Sequence, residues 1–206
     1  MTATILRLIA LALAALLYCV SARASTTEDA IAVTPKLVCT VGHAISSSFN
    51  ARQCDAISDA LARTSEPKNL LAMMVIESEM DWEAQAWYVL DGRVVVDVGL
   101  LGIHCVVGRK GLCTNWPVKG VRPIDGLQVL GRNIEAGARV LAKKRQVGGV
   151  RGLDHYAGDL DGHTGYSANV AALVAAFGGV KVQVKSKRVR ELARKIAKAC
   201  AQEPRS

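Results

Sequence analysis

The chain has 206 residues, 50% of them hydrophobic and 21% charged, a composition that fits one globular domain and excludes disordered, collagenous and low-complexity classes. Lys and Arg outnumber Asp and Glu by 26 to 18, for a formal net charge of +8. That excess points to an anionic partner or surface and carries no information about fold.

At the N-terminus, Arg7 precedes an uncharged, Leu- and Ala-rich run from Leu8 to Ala22. The run is shorter than the ~20 residues of a membrane-spanning helix, and Ala22-Arg23-Ala24 supplies the small residues of an export cleavage site. We therefore read residues 1–24 as a signal peptide cut after Ala24, the alternative being an uncleaved anchor. Its removal leaves a side-chain charge of +6 and five of the six cysteines, Cys39, Cys54, Cys105, Cys113 and Cys200. Disulfides are expected in the oxidising compartment beyond. Cys105 and Cys113 close a short glycine-bearing loop and are the expected pair. Connectivity among Cys39, Cys54 and Cys200 stays open, with one cysteine left over. The spacings do not match a zinc site, and no metal or cofactor is expected.

Asn50 is placed to cap a helix over residues 51–63, along which Cys54, Ile57 and Leu61 recur on one face. Ser65-Glu66-Pro67 starts the next helix, an apolar one through Leu70, Leu71, Met73, Met74 and Ile76 that delivers Glu77 at its C-terminal end. Two β-prone runs, Trp87–Leu90 and Arg93–Val96, flank Asp91-Gly92, a dipeptide suited to a two-residue hairpin turn. Pro123 opens a long helix to about residue 145. A further helix runs from Tyr166 to Phe177 and stops at Gly178-Gly179. The last helix sets Val189, Leu192, Ile196 and Cys200 opposite eight basic residues between Lys181 and Lys198, with Glu191 as their one acid. Such a face suits an anionic wall or membrane surface, or is simply solvated; export argues against nucleic acid. The sum is a mainly α single domain with a small β-hairpin.

Four segments carry chemistry in a fixed order. Val75-Ile76-Glu77-Ser78-Glu79-Met80-Asp81-Trp82-Glu83-Ala84 resembles the segment around the catalytic glutamate of soluble-lytic-transglycosylase-type domains in the lysozyme-like superfamily. Gly99-Leu100-Leu101-Gly102-Ile103-His104 is similar to that family's Gly-Leu-Met-Gln-Ile turn, with Gly102 at the glutamine position. Asn133-Ile134-Glu135-Ala136-Gly137 is similar to its Asn-Ile-x-x-Gly helix. His155-Tyr156-Ala157-Gly158 followed by Tyr166 resembles its Tyr-Asn-x-Gly segment, with His155 for tyrosine and Tyr156 for asparagine. Together the four span residues 70–177, about half of the chain, and leave the cysteine-bearing flanks uncovered.

The resemblance implies a lysozyme-like domain over residues 25–180, followed by a basic helix and tail over 181–206. It also implies cleavage of the MurNAc-GlcNAc bond of peptidoglycan glycan strands. Glu77 would protonate the glycosidic oxygen and then, as carboxylate, take the proton of the muramic acid C6 hydroxyl, which closes onto C1 as a 1,6-anhydro end. Such an acid has to be protonated near neutral pH, which desolvation favours by raising a carboxyl from about 4.3; Met73, Met74, Ile76 and Met80 are the expected apolar surroundings. Ser78, Leu101, Asn133, His155, Tyr156 and Tyr166 are the implied substrate-binding positions, whereas His104 is expected to be structural. A goose-type-lysozyme-like hydrolase is the nearest alternative, with Asp97 as candidate second carboxylate positioning water. A non-catalytic wall-binding protein is the other. Family members of this size further suggest service to an envelope-spanning secretion or conjugation machine.

Overall fold

The structure, a computed structural model, describes residues 32–46, 49–158 and 165–202. The expected signal peptide lies outside them. Residues from Val33 onward form one compact unit, mainly helical with one small antiparallel sheet.

Helix α1 (Pro35–Ile45) is an element the sequence reading does not mark, although its signals are local. Thr34 Oγ1 accepts from the Leu37 amide at 3.2 Å, and Pro35 occupies the first turn, where its missing N–H costs nothing. Helix α2 (Ala51–Leu61) begins with a reciprocal capping box between Asn50 and Gln53. A Cys39–Cys54 disulfide joins α1 to α2.

Helix α3 (Pro67–Ser78) starts at Pro67 as expected, but Glu66 does not cap it. The Glu66 carboxylate instead takes a two-pronged bond from Arg145, at 3.1 and 2.8 Å, and one from Asn69. The Arg145 hydrogen bond is the main force lowering the Glu66 pKa, against burial. Leu70 to Val75 are all buried, so α3 is surrounded on every side rather than amphipathic. It ends abruptly because Glu79 and Met80 both take left-handed backbone angles (φ 53° and 66°). This conformation is uncommon for residues with a Cβ and is held here by the buried Met80 side chain and the Met80 N to Met74 O bond.

Strands β1 (Gln85–Leu90) and β2 (Arg93–Val98) form the expected hairpin, and Asp91 and Gly92 have the paired positive φ of a tight turn (48° and 71°). A third strand, β3 (Ile103–Val106), extends that hairpin into a three-stranded antiparallel sheet of order β1-β2-β3. It forms because the 99–102 turn, with left-handed Gly99 and Gly102, reverses the chain and buries Ile103 and Cys105. The Cys105–Cys113 disulfide is formed as expected.

The single helix expected from Pro123 is two, α4 (Pro123–Leu127) and α5 (Leu130–Gly148). The Leu127 carbonyl is taken by the Asn133 side chain, and Val129 turns extended to start α5. After a 3-10 turn at Gly149–Arg151 come α6 (Gly152–Tyr156), α7 (Tyr166–Phe177) and α8 (Lys187–Gln202). Helix α7 has the expected bounds. Helix α8 buries Val189, Leu192 and Ile196 against α1 and α7, with Cys200 half-buried near its end. No helix among the described residues is long and apolar enough to cross a membrane.

Candidate active site

Glu77 sits in the last turn of α3, where the left-handed Glu79–Met80 pair turns the chain away and leaves its side chain facing a cleft. Ser78, one position on, lines the same cavity as Glu77. Its hydroxyl lies 3.1 Å from both Met74 O and Leu100 O and shares its one proton between these two carbonyls, tying the helix end to the glycine turn. Ser78 is thus a brace between two backbones.

The turn is fixed from behind by Asn133, which is 1% exposed. Its Oδ1 accepts from the Leu101 amide at 2.9 Å, and its Nδ2 donates to Val98 O and Leu127 O at 2.8 and 3.0 Å. Both amide protons and one lone pair of the oxygen are therefore used on backbone, and Asn133 holds the turn. Leu101 is fully buried against Gly137, where an added Cβ would stand only 2.3 Å from Leu101 Cδ1. Leu101 and Asn133, both expected substrate-binding residues, are buried behind the turn.

With the turn pinned, Gly102 lies directly against Glu77; a Cβ there would be 3.3 Å from Oε2. The other carboxyl oxygen, Oε1, accepts a short hydrogen bond from the hydroxyl of Tyr166, itself buried at the start of α7. Tyr156 stands beside them, donating to Leu101 O at 3.0 Å. Glu77 as a residue is exposed along the cleft, but its carboxyl is crowded by the turn and α7, and burial raises its pKa. The Tyr166 hydrogen bond opposes the rise, the Asp97 charge adds to it, and Arg188 opposes it. Burial, then the Glu77 charge, raise both tyrosine hydroxyls far beyond their ordinary range, so both are neutral donors. His155 does not join this group by any hydrogen bond among the described residues; its ring packs on Gly148 at the end of α5.

Asp97 lies on β2 and faces the same electrostatic neighbourhood. The Tyr88 hydroxyl donates to its Oδ2 at 3.0 Å, and His104 Nδ1 lies 3.0 Å from its Oδ1, a contact that selects the Nδ1-protonated tautomer. The sheet register explains the trio: Asp97 and His104 are directly paired, and Tyr88 lies diagonally across on the same face. His104 is therefore a hydrogen-bonded partner of Asp97 on the exposed face of the sheet, a pairing readable from the hairpin once the third strand is known.

Arg188, from the start of α8, completes the surroundings. Its Nε donates to Glu79 Oε1 at 2.9 Å. It walls a cavity of about 580 Å³ together with Glu77, Glu79, Asp81 and Ser46. No local signal marks it, since it reaches Glu79 across 109 residues of chain. A larger cavity of about 700 Å³, between Trp82, Ile124 and Leu130, contains none of these groups. Among the described residues no cluster of His, Cys, Asp and Glu is arranged to hold a metal ion.

No protein-family model, no curated protein and no solved structure matches this chain. What the site does is accordingly argued from its own residues.

Proposed function

We propose that this chain is a peptidoglycan lytic transglycosylase on a lysozyme-like domain, with Glu77 as its single acid/base. The observation that carries the reading is the state of Glu77. It is a cleft-facing carboxyl whose pKa is raised by burial, with one oxygen occupied by Tyr166 and the other beside a residue without a side chain. A glycosidic oxygen leaves only if protonated, and a carboxyl biased towards its neutral form is the group that can do so near pH 7. The carboxylate left behind is stabilised by Tyr166 and Arg188, and then serves as base for the C6 hydroxyl. No water is consumed. The two disulfides favour an oxidising, exported location for this chemistry.

A second reading rests on Asp97. Its charge acts on Glu77, and its two carboxylate oxygens are oriented by Tyr88 and His104. An oriented second carboxylate is what a hydrolase uses to position water. Digestion of purified peptidoglycan followed by mass spectrometry separates the two: anhydro ends support the transglycosylase, and reducing ends carrying one added water support the hydrolase. Equal activity of Glu77→Gln removes both.

A further inference from the structure

The outer end of the sheet is apolar and exposed, with basic residues in its turn and in the loop that follows β3. On the face of the sheet that buries Val96, Val98, Ile103 and Cys105, the same rows continue outward as Val94, Trp87 and Val89. There the core beneath them stops. Val89 is 71% exposed, Trp87 51% and Val94 48%, and Leu90 at the hairpin tip 48%. Trp87 hydrogen-bonds only within its own strand, to Gln85.

The register brings charge to the same end. Val106 pairs with Val95, and the Val107 amide bonds Val94 O at 2.9 Å. The chain that follows therefore runs out alongside the hairpin, carrying exposed Arg109 and Lys110, while exposed Arg93 sits at the turn itself. Three exposed cations, against Asp91, thus lie in the hairpin turn and in the loop after β3, and the Cys105–Cys113 bridge closes the loop that carries two of them.

We propose that this end of the sheet docks on an anionic lipid bilayer, with Val89, Leu90 and Trp87 entering the headgroup boundary and Arg93, Arg109 and Lys110 facing the phosphates. Apolar side chains with an indole at the margin match the apolar-to-polar gradient of a bilayer surface. These three cations supply the charge complementarity, each adding about fivefold in affinity for an anionic surface. A protein partner or a second copy pairing along β1 would need the edge but not the cations.

The test uses the full chain with single tryptophans. Trp82→Phe with Trp116→Phe leaves Trp87, and Trp82→Phe with Trp87→Phe leaves Trp116. Vesicles of phosphatidylcholine, with or without one quarter phosphatidylglycerol, carry brominated acyl chains as quencher. The expected result is quenching of Trp87 and not Trp116, with phosphatidylglycerol present. Val89→Asp with Leu90→Asp should abolish it, and Arg109→Glu with Lys110→Glu should weaken binding more than tenfold. Because the readout is local to the hairpin, attachment through the apolar N-terminal stretch cannot produce it. Unquenched Trp87, quenching independent of phosphatidylglycerol, or loss of binding through Lys195→Glu with Lys198→Glu in place of the hairpin variants would overturn the proposal. So would a vesicle-free dimer that Val89→Asp converts to monomer, which would assign the edge to a second copy.

Discussion

The two ends of one three-stranded sheet are held by different physics. At the inner end, Val96, Val98 and Ile103 are buried, and the turn that follows β2 is held by the buried Asn133 amide, which accepts from the Leu101 amide and donates to Val98 O, with a third bond tying it to Leu127 O of α4. At the outer end the side chains are exposed and a covalent bridge, Cys105–Cys113, restrains the neighbouring loop. A disulfide acts mostly by limiting the unfolded chain, whereas buried hydrogen bonds to backbone fix where an atom sits. The end that adjoins Glu77 is the one built for position.

The largest expected effect bears on chemistry at the inner end. Glu77→Gln should lower peptidoglycan cleavage by roughly 10²–10⁴-fold or more, the usual worth of a general acid/base, measured by release of soluble muropeptides. It should also unfold at higher temperature than the parent near neutral pH. A carboxyl whose folded pKa is raised stabilises the fold fully below the unfolded pKa of about 4.3 and loses that contribution as pH rises through the folded pKa. The uncharged amide escapes the loss, so the difference in Tm should grow from pH 4 to pH 7. A constant difference would mean that burial does not act on Glu77.

Next in size, Asn133→Ala leaves the buried Leu101 amide without its Asn133 acceptor and takes one hydrogen bond each from the Val98 and Leu127 carbonyls. At 1–3 kcal/mol for an orphaned buried group, the cost should be about 3 kcal/mol or more by urea unfolding, with activity falling alongside. Replacing Cys105 and Cys113 together by Ser should cost about 2–3 kcal/mol, yet leave kcat of the remaining folded protein near that of the parent. If kcat collapsed with it, the two ends would be one mechanical unit and the contrast between them would fail.

The smallest effect sharpens the comparison at the level of one atom. Tyr166→Phe removes the hydrogen bond that lowers the Glu77 pKa, so the alkaline limb of kcat/KM should move to higher pH. Asp97→Asn removes a charge that raises it and should move the limb the other way. Limbs that stay fixed in both variants would show that another group titrates there.

Legibility followed the range of the interaction. Helix α7 and the Asp91-Gly92 turn are visible in sequence because glycine stops and paired positive φ are properties of neighbouring residues. The break between α4 and α5 is not, because it depends on the Asn133 side chain reaching back to Leu127. Strand β3 was hidden inside a segment whose glycine turn dominated its appearance. In the site, motif order marks Glu77 and Tyr166 separately, while their hydrogen bond across 89 residues, like the burial of Leu101 and Asn133, is a tertiary fact. Arg188 was seen only as one charge in a basic run, since contact with Glu79 is a tertiary fact.

The unequal surroundings of the two Glu77 oxygens have a stereochemical consequence. Oε1 is already an acceptor for the Tyr166 hydroxyl, so in the neutral acid the proton resides on Oε2, the oxygen facing Gly102. At Gly102 the chain places only a bare Cα beside that oxygen, where a Cβ would stand 3.3 Å away. The two oxygens of one carboxyl thus meet unlike neighbours, a hydroxyl donor on one side and an uncovered backbone on the other.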